Sequence, residues 1–167
     1  MLKTGKIKPF LWYETEAEEA ARFYTSVFRN SKLGRIARYP AGSPGPAGQV
    51  MTVEFEIEGQ PFVALNGGKQ PFRFNEAISF QIDCETQEEV DYYWERLTAG
   101  GQPVQCGWLK DRYGVSWQVV PRALPELFSK NAKTAERVMQ AMLKMVKLDI
   151  RKLKEAAKLG ASSSNTA

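Results

Sequence analysis

EAEEAARFYTSVF, residues 16–28, has an echo further along the chain in ETQEEVDYYWERL, residues 85–97. Phe23-Tyr24 correspond to Tyr92-Tyr93, and Phe28 corresponds to Leu97. Both segments carry apolar residues at helical spacing. In the first these are Ala17, Ala20, Ala21, Tyr24, Val27 and Phe28; in the second, Val90, Tyr93, Trp94 and Leu97. Thr15 and Thr86 stand at the N-terminal cap positions. Glu18 and Glu89 follow three residues later, the spacing of a capping box. Helices are predicted over 16–29 and 87–97.

What surrounds each helix repeats too. KIKPFLWY, 6–13, reads as a strand, and Pro9 inside it predicts an edge, a bulge or a strand end. A short strand over 35–39 is followed by PAGSPGPAG, 40–48, a loop of the kind that rims sites. QVMTVEFEIEG, 49–59, alternates: Met51, Val53, Phe55 and Ile57 take one face, Thr52, Glu54, Glu56 and Glu58 the other. Gly59-Gln60 turn it into PFVALN, 61–66, making a hairpin. AISFQIDC, 77–84, precedes the second helix, Gly100-Gly101 end that helix, and strands follow near 102–110 and 115–120. The order is strand, helix and about three strands, twice over. The predicted class is α+β, built from two pseudo-duplicated βαβββ modules over 5–68 and 75–121, the pair occupying 5–125. A helical extension covers 126–160, with Asn131 capping a helix over 132–146 and Asp149 a helix over 150–159. Residues 161–167 read as a disordered tail.

Composition narrows the chemistry. The 167 residues carry a net charge of +4, two cysteines and no histidine. Histidine triads, HExxH zinc sites and Cys-His dyads are therefore excluded. Cys84 and Cys106 match no zinc spacing and are expected to be free thiols. Cys84, just before a helix start, is the better placed nucleophile of the two. No run approaches the ~20 apolar residues of a membrane span, and the start lacks the features of a secretory signal. A cytoplasmic location is expected. Lysines and arginines concentrate in 144–158, where the wet face of a helix accounts for them. Met139, Met142 and Met145 read as core or as a dimer contact.

CGWLKDRYGVSWQVVP, 106–121, combines a turn at Asp111–Gly114 with a strand ended by Pro121. Asp111 is expected to hold its own backbone. Trp117 and Val119 alternate with Ser116 and Gln118.

Taken with FVALNGG and ERVMQAMLKM, these segments resemble the vicinal oxygen chelate superfamily of glyoxalases, bleomycin-resistance proteins and ring-cleaving dioxygenases. They are most similar to its PhnB-like branch, also called 3-demethylubiquinone-9 3-methyltransferase-like. The resemblance implies mixed sheets that curl around a cavity, with metal ligands at four inward positions. Those positions fall on Pro9, Ala64, Ala77 and Gln118. Three of the four have no side-chain donor, so the usual metal site is expected to be missing. By alternation the cavity lining is expected to include Leu11, Tyr13, Glu54, Phe62, Asn66, Ser79, Gln81, Ser116 and Gln118. Glu54 is the candidate general base and Tyr13 a candidate proton donor. The glycine pairs Gly67-Gly68 and Gly100-Gly101 are not phosphate-binding turns, because neither joins a strand to a helix.

The function expected is small-molecule binding by a protein that lacks the usual metal ligands and needs no cofactor. Its ligand is a small hydrophobic or amphipathic compound and its partner a second copy of the chain. Neither nucleic acid nor a membrane is expected as a partner. Two alternatives stay open. One is a lyase, dioxygenase or methyltransferase-like enzyme using the same cavity with an atypical metal or none. The other is a structural dimeric subunit.

Overall fold

The computed structural model describes residues 6–159. Position 5, where the first module is expected to begin, and the tail over 161–167 lie outside the described residues. The chain divides into two units, one ending at Arg73 and the other beginning at Phe74.

The first unit runs β1 (Phe10–Tyr13), α1 (Ala17–Val27), β2 (Ser31–Arg38), β3 (Val50–Ile57) and β4 (Gln60–Asn66). The strands lie in the order β1-β4-β3-β2. β1 is parallel to β4, and the other two pairings are antiparallel. Alternation sorts the side chains as the sequence predicts. Val53 and Phe55 of β3 share a face with Phe62 and Ala64 of β4 and with Leu11 and Tyr13 of β1, and all six are buried. α1 covers that face: the Phe55 ring stacks on Tyr24 of the helix at 5.9 Å and on Phe62 at 5.2 Å. Burying an aromatic or large aliphatic side chain of this kind contributes roughly 1.5–3 kcal/mol.

Three local expectations shift. The β3–β4 turn is Glu58-Gly59, one residue earlier than predicted. Both residues are left-handed (φ 48° and 79°), the conformation a two-residue hairpin loop demands. The short strand expected over 35–39 begins earlier, at Ser31, and ends at Arg38 as β2. Thr15 does not cap α1. Glu16 occupies the cap without a side-chain bond, and the Ala17 N–H donates instead to Asn66 Oδ1 at 2.8 Å. The helix start is thus secured from β4 rather than from its own loop.

The second unit repeats the topology with β5 (Ser79–Cys84), α2 (Gln87–Thr98), β6 (Gln102–Pro103), β7 (Trp108–Lys110) and β8 (Ser116–Pro121), ordered β5-β8-β7-β6. β5 is parallel to β8. Here the cap is the predicted one: Thr86 Oγ1 accepts from the Glu89 N–H at 3.3 Å. The Glu89 carboxylate reaches back to the Glu85 N–H at 2.7 Å.

The duplicated modules agree with the expected fold class, but the curled sheets around a cavity do not. Each sheet is open and four-stranded, with β1 and β2 as the edges of one and β5 and β6 as the edges of the other. Closed barrels are built from more than four strands. A four-stranded sheet cannot bring its edges together, and β6 supplies only two residues.

Beyond β8 the second unit continues as α3 (Ala123–Ser129), α4 (Ala132–Met142) and α5 (Ile150–Lys158). α3 is too short to show a period in the sequence. Asn131 and Asp149 cap α4 and α5, accepting from Thr134 N at 2.9 Å and Lys152 N at 3.0 Å. α4 stops at Met142, four residues before its predicted end: the Lys144 and Met145 N–H groups bond three residues back, to Ala141 O and Met142 O, which tightens the chain into turns. The left-handed pair Cys106 (φ 60°) and Gly107 (φ 82°) donates its N–H groups to Met145 O at 2.9 Å and Val146 O at 2.8 Å. Leu124, Leu127, Val138, Leu148 and Leu153 bury a small core against Val120 of β8. Met142 and Met145 pack on it, while Met139 stays 39% exposed.

Asp111 organises the turn before β8. Its Oδ1 accepts from Tyr113 N at 2.9 Å and Val115 N at 3.1 Å, and its Oδ2 accepts from Trp117 Nε1 at 2.9 Å. The residue is only 3% exposed. Asp111→Ala orphans a buried indole N–H and two amides. It is expected to cost about 2–4 kcal/mol, read as a lowered midpoint in urea unfolding followed by tryptophan fluorescence.

Candidate functional site

Strand alternation gives the sheet of the second unit two unlike faces. Leu109, Trp117 and Val119 are buried on one, with Val90, Trp94 and Leu97 of α2. The other face carries a polar array set by the register. Ser79, Ser116 and Lys110 lie side by side across β5, β8 and β7. Gln81, Gln118 and Trp108 form the next row. Gln118 Nε2 donates to Ser79 Oγ at 2.9 Å, tying the two rows together. Gln81 turns aside, donating to Asp83 Oδ1 at 2.7 Å. Lys110 Nζ lies 2.5 Å from Glu76 Oε1 and holds that carboxyl below the usual carboxylate range.

Ser116 stands apart in this array. It is 1% exposed, and its hydroxyl has no hydrogen-bond partner among the described residues. A buried hydroxyl without a partner costs about 1–3 kcal/mol. Its neighbours in the row, Ser79 and Lys110, are bonded to Gln118 and Glu76 instead. Such a group is a place for an added hydrogen-bonding atom.

The expected lining residues of the first unit are placed differently. Leu11, Tyr13 and Phe62 are together, but on the face that α1 covers, and Tyr13 OH donates to Tyr24 OH at 3.3 Å. Glu54 lies on the opposite face and pairs with Arg35 at 3.4 Å. Asn66 is a clamp: besides accepting from Ala17 it donates Nδ2 to Val50 O at 3.1 Å. Both faces of a strand alternate alike in the sequence. Which one a helix covers is decided by tertiary packing.

The loop over 40–48 does border a cleft, at the end of the first sheet. The cleft measures about 640 Å³ and is lined by Glu14, Glu18, Arg38, Tyr39 and Asn66 together with the loop. Tyr39 OH donates to Asn66 O at 2.6 Å, and Arg38 Nη1 donates to Gly48 O at 3.0 Å. Sequence reasoning missed Arg38 and Tyr39. The glycine- and proline-rich loop beside them was the signal available.

The four positions of the expected metal set do not fit a metal. Ala64 is fully buried under α1, Pro9 offers only its carbonyl, which accepts from Val63 N at 3.0 Å, and Ala77 precedes β5. Gln118 alone has a donor atom in its side chain. Among the described residues no group of three or more His, Cys, Asp or Glu could hold a metal ion. Cys84 is buried, and its thiol is pushed up to about 12 by that burial and then by the Glu89 and Asp83 charges. It is protonated at neutral pH and is no nucleophile there.

Two βαβββ modules with this strand order define the glyoxalase/bleomycin-resistance class, the vicinal oxygen chelate superfamily. Within it, residues 5–120 match the family described as 3-demethylubiquinone-9 3-methyltransferase, and the chain belongs to that family. It is 38% identical to the PhnB protein of Bacillus cereus, covering 70% of this chain and 99% of that one, with a TM-score of 0.65. Two more distant structures share the fold alone. A Pseudomonas aeruginosa protein is 19% identical over 71% of this chain and 98% of its own, with a TM-score of 0.57. The fosfomycin resistance protein FosX of Listeria monocytogenes is 21% identical over 74% and 95%, with a TM-score of 0.52. No curated protein matches the chain.

The thiols supply a pH test. In the folded protein at pH 8, iodoacetamide is expected to label Cys106 well before Cys84, read by peptide mass spectrometry. The raised Cys84 value also has a sign. Between its ordinary value of 9.0 and about 12 the unfolded chain has lost a proton that the native chain keeps, so this residue's contribution to stability falls as pH rises through that window. Cys84→Ala is expected to flatten the decline of the urea midpoint between pH 8 and 10.

Proposed function

We propose that the chain binds a small molecule on the polar face of its second module, through side-chain hydrogen bonds and without a metal centre. The observation that carries the reading is the buried, unpartnered Ser116 hydroxyl, set beside the Ser79–Gln118 pair. Trp108, in the row with Gln118, offers an apolar wall, and Lys110 a charge. Apolar surface with a few placed polar groups is the usual make-up of a ligand site. The donor set argues for binding over metal catalysis, since about three protein ligands are needed for the latter.

The family's descriptive name refers to methyl transfer, but this fold offers little support for that chemistry here. Neither Gly67-Gly68 nor Gly100-Gly101 links a strand to a helix, so the phosphate-binding turn of doubly wound nucleotide folds has no counterpart among the described residues. The reading includes a homodimer in a cytoplasmic setting. No helix among the described residues is long and apolar enough to cross a membrane.

Mass spectrometry of gently purified protein, with a metabolite thermal-shift screen, tests the proposal. A compound that co-purifies or raises the melting temperature is expected. Its affinity should fall roughly 5–10-fold in Ser116→Ala, the loss of about one hydrogen bond, and further in Gln118→Ala, with both variants folded by circular dichroism. Stoichiometric Mn, Fe, Co, Ni or Zn bound by the wild type and lost from Gln118→Ala would overturn it.

A further inference from the structure

The charge of this chain is not spread evenly. Residues 122–159 hold 10 Lys and Arg against 4 Asp and Glu, whereas residues 1–121 hold 13 against 15. The family match ends at residue 120, so the whole basic excess sits on the helical extension beyond it. The basic residues are also displayed there. On α5, Arg151, Lys154 and Lys158 recur at intervals of three and four residues, opposite the buried Leu153 and Ala156. None of the three makes an ion pair among the described residues. Of the extension's cations only Arg122 and Lys147 do so, with Glu85 and Asp91.

Apolar side chains also stand exposed on the extension. Leu159, beside Lys158, is 78% exposed, Leu143 is 49% exposed and Met139 39%. A groove of about 550 Å³ runs between α4 and α5, with Ala141, Ala156 and Leu159 bordered by Lys133, Arg137 and Lys144 and by the single carboxylate of Glu136. Lysines around accessible aliphatic side chains on short amphipathic helices match an anionic lipid surface: the charges meet head groups and the leucines enter the acyl boundary. Nucleic acid fits less well. Binding to single strands uses exposed aromatic rings as stacking platforms. The one aromatic residue of 122–159, Phe128, packs against the extension's core.

We infer that the C-terminal extension is a peripheral docking surface for anionic membranes, held by charge and by shallow insertion of Leu159 and Leu143. This revises the expectation that no membrane partner exists, and it is independent of the ligand proposed for the sheet face. A solvated helix face explains the exposure of the lysines. It does not explain why the basic excess is confined to one appendage.

Vesicle sedimentation of the full-length protein tests this. Vesicles of phosphatidylcholine alone are compared with vesicles containing about 30% phosphatidylserine. Pelleting with the anionic vesicles only is expected, weakening on the order of tenfold when salt is raised so that the screening length shrinks. The Arg151→Glu, Lys154→Glu, Lys158→Glu variant should lose pelleting while keeping its helical circular dichroism. Leu143→Ser with Leu159→Ser should weaken it several-fold. No pelleting, equal pelleting with neutral vesicles, or stronger binding of a fluorescent RNA or DNA oligonucleotide than of anionic vesicles would overturn the inference.

Discussion

In both modules the first strand runs parallel to the last, and most of the architecture follows from that pairing. Parallel strands cannot be joined by a tight turn; the chain between them must cross over. Here the crossover includes a helix, which buries one side of the sheet. Phe10–Tyr13 against Val63–Asn66, and Ser79–Cys84 against Ser116–Pro121, are short ladders of four and six residue pairs. Yet they place α1 and α2 over Phe55 and Trp117 rather than over Glu54 and Gln118. The division of each module into a packed face and a chemical face follows from the same constraint.

That division explains what could be read in advance. Strand parity was legible at Met51–Ile57 and at Val115–Val120 because the alternation is strict. The helices were legible at both of their stripes. The helix side of the first sheet was not, because Leu11, Tyr13 and Phe62 are as suited to a ligand wall as to a core. Only the contact with Tyr24 and the stacking on Phe55 decide it. Similarly, Thr15 and Glu18 have the capping spacing, but Asn66, 49 residues from Ala17, reaches the amide. Long-range hydrogen bonds of this kind leave no local trace in the sequence. The openness of the sheets depends on strand lengths, which propensity leaves loosely defined.

The polar face of the second sheet is where sequence and structure meet most closely. Ser79, Ser116 and Gln118 were grouped by parity, and the register brings them together. Gln118 has a local role, its Nε2 holding Ser79. Ser116 has none. Chemistry at this face would depend on hydrogen bonding and on the Lys110 charge, both strengthened wherever water is excluded.

The Cys106-Gly107 pair has a consequence for how the extension is held. β6 is two residues long, and the strand side it leaves exposed would offer amides to a passing strand, the usual seed of edge-to-edge aggregation. Past β6, the left-handed bend turns the Cys106 and Gly107 N–H groups into the Met145 and Val146 carbonyls of the same chain, while the Gly107 carbonyl receives Val119 N–H at 2.8 Å. The backbone groups of this bend are therefore consumed internally. The extension is thereby joined to the β6–β7 connection by main-chain bonds as well as by the side-chain packing of Leu148 and Leu153, so the two are expected to unfold together.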